Sequence, residues 1–74
     1  MSANAPAAEM PEYQQRVVVE NRELDERLQK LEAFTQSKKM DDLPLDEASR
    51  MDRQIRAMRD YSRVLGERIE AFQS

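Results

Sequence analysis

The chain has no cysteine, no histidine, no tryptophan and a single glycine among 74 residues. Without cysteine there are no disulfides and no thiolate metal sites. Without histidine the commonest metal ligand and the commonest general base are also missing. Basic excess is lacking too: 12 Lys and Arg stand against 15 Asp and Glu, a net charge of −3, so a general nucleic-acid binder is not expected. No apolar run approaches the roughly 20 residues of a membrane span. Met1 to Met10 carries neither a basic stretch nor an apolar core, so it does not read as a signal peptide. Gly-rich phosphate loops, nucleophile elbows and metal-ligand motifs are absent from the sequence. The expectation is therefore a soluble protein that is not an enzyme and uses no cofactor or metal.

What is present favours helix. Glu, Arg, Leu, Gln and Met abound and β-branched residues are few. Residues 1–10, rich in Ala, Asn, Ser and Pro, read as a loose N-terminal tail. Helix one is expected over about 11–37, with Pro11 at its first position and Glu12 complementing the helix dipole. A connector at 38–43 leads to helix two, about 44–73, which opens with Pro44, Asp46 and Glu47. In helix one Val17, Leu24 and Leu31 recur every seven residues, with Asn21, Leu28 and Thr35 at the alternate positions. In helix two the two series are Met51, Met58, Leu65, Phe72 and Ala48, Ile55, Ser62, Ile69. Alternating spacings of three and four define a stripe suited to knobs-into-holes packing. The short connector makes the helices antiparallel neighbours. The predicted fold is thus all-α, an antiparallel two-helix hairpin.

Folding at the connector brings Leu31 near Met51, Leu28 near Ile55, Leu24 near Met58 and Val17 near Leu65. It also sets Asn21 opposite Ser62. That polar layer reads either as a register-setting hydrogen bond or as a polar spot in a ligand cavity. A chain this short buries only about 60% of its unfolded surface, and oligomerisation is the remaining aid to stability. The stripe also leaves apolar residues over. Val18, Val19 and Phe34 on helix one, and Ala57 and Val64 beside Tyr61 on helix two, are expected to form an oligomer interface. The hairpin's partner is thus itself, in a helical homo-oligomer. Gly66 suggests a close backbone approach, because a mid-helix Gly costs about 1 kcal/mol relative to Ala.

Acidic clusters (Glu23, Asp25 and Glu26; Asp41 and Asp42; Asp46 and Glu47) lie in polar stretches. Glu23–Arg27, Glu26–Lys30, Asp46–Arg50 and Asp52–Arg56 are expected as surface pairs worth about 0.2–0.5 kcal/mol each. Arg56, Arg59 and Arg63 share an outer face with acids and read as solvated surface. Arg50 and Arg68 instead align with Tyr61 and Gln54. Arginine forks and an aromatic ring on an apolar floor suit a planar anion such as a nucleotide, or the wet rim of a protein interface.

The stretches Tyr13-Gln14-Gln15-Arg16-Val17-Val18, Glu23-Leu24-Asp25-Glu26, Lys30-Leu31 and Phe34 resemble a family of short helical proteins of tailed phages and prophages. That family is named after a crAss-like phage protein. Arg53-Gln54, Ala57-Met58, Tyr61-Ser62, Leu65, Arg68-Ile69 and Ala71-Phe72 extend the resemblance through helix two. It implies a phage origin and residence in the host cytoplasm, and carries no active site over. In architecture the chain is also similar to phage sponge proteins that sequester cyclic nucleotide messengers of bacterial immunity between subunits. By that similarity Tyr13 and Lys30 correspond to the sponges' tyrosine and basic side chains, although the spacing differs. The expected function is counter-defence binding of a cyclic or other nucleotide. The alternatives are a protein–protein adaptor or inhibitor, or a phage structural or assembly component.

Overall fold

The computed structural model describes residues 10–72. The tail expected at 1–10 lies outside the described residues except for Met10, as does the end of helix two beyond Phe72. Two α-helices, α1 (Glu12–Thr35) and α2 (Leu45–Phe72), flank a short 3-10 helix at Lys38–Asp42, and there is no strand among the described residues. Each α-helix follows a proline. The Pro11 carbonyl accepts from the Gln14 and Gln15 amides, and the Pro44 carbonyl accepts from the Ala48 amide. Proline suits these places because the first amides of a helix have no intrahelical acceptor. At the other end of α1, the Gln36 and Ser37 amides donate to Ala33 and Phe34, tightening the last turn. The Thr35 and Ser37 hydroxyls donate to the Glu32 and Phe34 carbonyls. The connector then continues as 3-10 turns, with Met40 N–H donating to Ser37 and Leu43 N–H to Met40.

Contacts between the helices run in opposite order along the chain. Tyr13 meets Phe72 edge to face, with ring centroids 5.9 Å apart and an interplanar angle of 82°. Further along, Ser62 bonds Asp25 and Arg59 bonds Glu32. The helices therefore lie antiparallel. The core is small: Val17, Leu24, Ile55 and Leu65 are its buried side chains, and Leu65 is 1% exposed. Met58, Ile69 and Phe72 pack against the Val17–Leu24–Leu65 cluster. All seven belong to the stripe read from the sequence.

The polar layer differs from expectation. Ser62 Oγ donates to Asp25 Oδ1 instead of meeting Asn21, and Asn21 Oδ1 is buried with no hydrogen-bond partner. A hydroxyl has one proton to give, and a carboxylate one turn from Asn21 accepts it more strongly than a neutral amide. Arg59 is exposed, as expected of a solvated face, and also reaches across to Glu32, with Nε 2.8 Å from the carboxylate. Among the described residues nothing beyond its own helix lies within 4 Å of where a Cβ on Gly66 would stand, so no described backbone from elsewhere in the chain approaches it.

Candidate functional site

Helix projection separates the two sides of the hairpin. At 100° per residue, Asp25, Glu32, Arg59 and Ser62 fall to one side of the stripe, and the Ser62–Asp25 and Arg59–Glu32 bonds close that side. Arg27, Lys30, Phe34, Gln54 and Tyr61 fall to the other. Among the described residues no side-chain hydrogen bond or ion pair crosses between the helices there. A groove of about 620 Å³ opens on this second side, floored by Leu24, Leu31, Met51 and Met58 and rimmed by Arg27, Lys30, Phe34 and Gln54. Its size falls within the roughly 300–1,000 Å³ of ligand pockets. It is an open trough, not an enclosed cavity.

The rim is chemically distinctive. Neither Arg27 nor Lys30 forms an ion pair with another described residue. The Glu23–Arg27 and Glu26–Lys30 pairs expected from spacing are not formed, whereas Asp46–Arg50 and Asp52–Arg56 are, with the first at 3.5 Å. A groove thus carries two cations without an ion-pair partner among the described residues, an aromatic ring and the Gln54 side chain over an apolar floor. Gln54 Nε2 lies 3.9 Å from Met58 Sδ, a weak acceptor, so its amide is available to a stronger partner.

The sequence-derived candidates distribute unevenly around this groove. Lys30 and Gln54 line it, and so does half-buried Phe34, read from sequence as an interface residue. Tyr61 and Val64 are 45% and 47% exposed on the same side, with Ala57 exposed between them. Arg50 is held by its own helix, 3.0 Å from Glu47 and 3.5 Å from Asp46, the second a pair expected from spacing, so its guanidinium is engaged away from Tyr61. The cause is that Asp46 and Glu47 stand one turn before it, where i,i+3 and i,i+4 pairs meet. Arg68 has no ion-pair partner among the described residues. Arg50 and Arg68 stand about 27 Å apart along one helix, and Tyr13 and Lys30 about 25 Å. Neither pair can grip a single small ligand within one chain. Tyr13 instead packs on Phe72. Val18 is half-buried toward the closed side. Val19 borders a shallow depression with Glu12, Gln15, Arg16, Glu20 and Glu23. Arg27 was missed from sequence because Glu23 four residues earlier offered it a surface pair.

Among the described residues no group of three or more acidic, histidine or cysteine side chains could hold a metal ion. No helix is long and apolar enough to cross a membrane. A two-helix hairpin with an unpartnered, cation-rimmed apolar side has the character of a small binding module. The chain belongs to the Sequestin family, whose model matches residues 11–71, and the family name indicates a sequestering role. The matched residues contain every stretch on which the phage resemblance rests apart from Phe72. No curated protein and no solved structure matches the chain.

Proposed function

We propose that this protein is a phage counter-defence factor that acts in the host cytoplasm by binding a cyclic or other nucleotide messenger and removing it from solution. It does so as a homo-oligomer and makes or breaks no covalent bond. The observation that carries this reading is the groove on the open side, where Arg27 and Lys30 stand without an ion-pair partner among the described residues above Leu24, Leu31, Met51 and Met58. A nucleotide needs three kinds of contact, and the rim offers each. The Arg27 fork and the Lys30 ammonium suit phosphate oxygens, the first as a planar pair of donors and the second as a point charge. The Phe34 ring offers a face or edge to a base. The Gln54 amide can donate to and accept from a base edge. Sequestration requires nothing more than affinity and abundance, which agrees with a chain of this size and with the family name.

Isothermal calorimetry with a panel of cyclic di- and trinucleotides tests the proposal. The wild type is expected to bind at least one of them. Lys30→Glu or Phe34→Ala is expected to weaken that binding at least tenfold, on the order of one lost charge or stacking contact. Tyr61→Ala and Tyr13→Ala serve as comparisons at the residues that sequence alone favoured. If no nucleotide binds the wild type, the nucleotide reading falls and the adaptor reading replaces it.

A further inference from the structure

The groove on the open side has a floor that a nucleotide does not need. Leu24, Leu31, Met51 and Met58 are all aliphatic or thioether side chains, and the one ring, Phe34, stands on the rim. Leu24 and Leu31 are seven residues apart on α1, as are Met51 and Met58 on α2. Each wall therefore runs about 10 Å, and Phe34 extends the first to about 15 Å. A long trough with no ring in its floor suits a linear alkyl chain. Methionine improves that match, because its unbranched, flexible side chain moulds to an irregular apolar partner.

The charge on the rim is one-sided. Arg27 and Lys30 both stand on α1, three residues apart, a spacing at which helix side chains are neighbours. Neither has an ion-pair partner among the described residues, whereas Arg16, Arg50, Arg56, Arg59 and Arg63 are each held by an acid. The α2 rim contributes neutral Gln54, whose Nε2 rests on the weak acceptor Met58 Sδ. A single oxyanion between the rims can thus meet two cationic donors from one helix and an amide donor from the other. This positive character is local, since the whole chain carries a net charge of −3.

We propose that this groove binds a free, single-chain anionic amphiphile, such as a medium-chain fatty acid or an alkyl phosphate. The alkyl chain lies along the floor, and the head group is held by Arg27, Lys30 and Gln54. The trough, about 620 Å³, has room for one such molecule. A bilayer is a poorer match, because an interfacial helix face is rimmed by many cations. On this side Glu20 and Glu23 follow the same α1 face, one to two turns before Arg27, and border a second depression with Glu12. An anionic membrane lying along the hairpin would meet those acids, whereas one small amphiphile in the trough does not. The inference rests on the groove and not on the nucleotide reading. It gives the groove a second class of ligand, and the two classes exclude each other there.

A homologous series tests it. Hexanoate, octanoate, decanoate and dodecanoate, each below its critical micelle concentration, are titrated into the full chain by calorimetry at low salt. Circular dichroism follows the fold throughout. Dodecanoate is expected to bind saturably, one per chain, with a dissociation constant below about 1 mM. Affinity should rise about two- to fourfold per added methylene, the range from half to full burial. Dodecyltrimethylammonium has the same tail and the opposite charge. It should bind at least about fivefold more weakly, although the net charge of −3 favours it. Arg27→Gln combined with Lys30→Gln should lower dodecanoate affinity at least about threefold. Arg56→Gln combined with Arg63→Gln removes the same charge from the outer face and should leave it within about twofold. Binding that ignores chain length, prefers the cationic head, or falls equally in both double variants overturns the proposal. So does sedimentation with phosphatidylglycerol vesicles in the absence of saturable dodecanoate binding. Dodecanoate bound where no nucleotide binds leaves this inference standing and the proposed function fallen. Nucleotide bound where dodecanoate does not bind overturns this inference alone.

Discussion

Replacing Asn21 by Leu is expected to stabilise the protein. Asn21 sits in the core stripe of α1 and its Oδ1 is buried without a partner, a desolvation cost of about 1–3 kcal/mol. Leucine removes that oxygen and continues the apolar series between Val17 and Leu24. Its helix propensity is also better than that of asparagine by a few tenths of a kcal/mol. Against these gains stands the added bulk, since overpacking costs about 1–3 kcal/mol in a filled core. Asn21 is only half-buried, so leucine can lean toward solvent and avoid most of that strain. The net gain is about 1–2 kcal/mol. In a domain of this size each kcal/mol raises Tm by roughly 4–8 °C, so the midpoint should rise by at least about 4 °C. Thermal and urea unfolding followed by circular dichroism measure it. Asn21→Asp is the control and should destabilise, because it places a second carboxylate one turn from Asp25. A loss of more than about 1 kcal/mol for Asn21→Leu would refute the reasoning. It would mean that the Asn21 oxygen is satisfied in solution and contributes to the fold.

Three further outcomes follow from the packing. Leu65→Ala should cost about 2–5 kcal/mol, because Leu65 is 1% exposed within the core cluster. Leu45→Ala, at a position 89% exposed, should change stability by less than about 0.5 kcal/mol. Urea unfolding of both variants separates core from surface. Gly66→Ala should stabilise by up to about 1 kcal/mol, since a Cβ there meets open space within the chain; a loss would place a neighbouring backbone at that point. Glu32→Gln should cost no more than about 1 kcal/mol, and that cost should shrink at high salt, because the Arg59 side chain it bonds is 60% exposed.

The stripe was legible because burial imposes a period on the sequence. Val17, Leu24, Ile55 and Leu65 must recur at helical spacing if two helices are to hide them. What the period could not convey was which polar side chain takes which partner. Ser62 had two acceptors one turn apart on the facing helix, Asn21 and Asp25, and spacing treats them alike; the charge on Asp25 decides. Arg59 stands among acids on its own helix yet reaches Glu32, because a long side chain can cross the seam where a projection shows only its root. The site was legible in pieces. Lys30, Phe34 and Gln54 were singled out separately, but their convergence needed the antiparallel register to bring α1 and α2 to one groove. The pairing of Arg50 with Arg68 failed for the opposite reason. A shared helical face says nothing of the roughly 27 Å between them along the axis.

The most direct test of the central claim is native mass spectrometry of the protein purified from bacterial cells, with and without added cyclic nucleotides. The account predicts a homo-oligomer carrying bound nucleotide, and loss of that added mass in Lys30→Glu with the subunit count unchanged. A protein that takes up no nucleotide from the cell or from the panel contradicts the account.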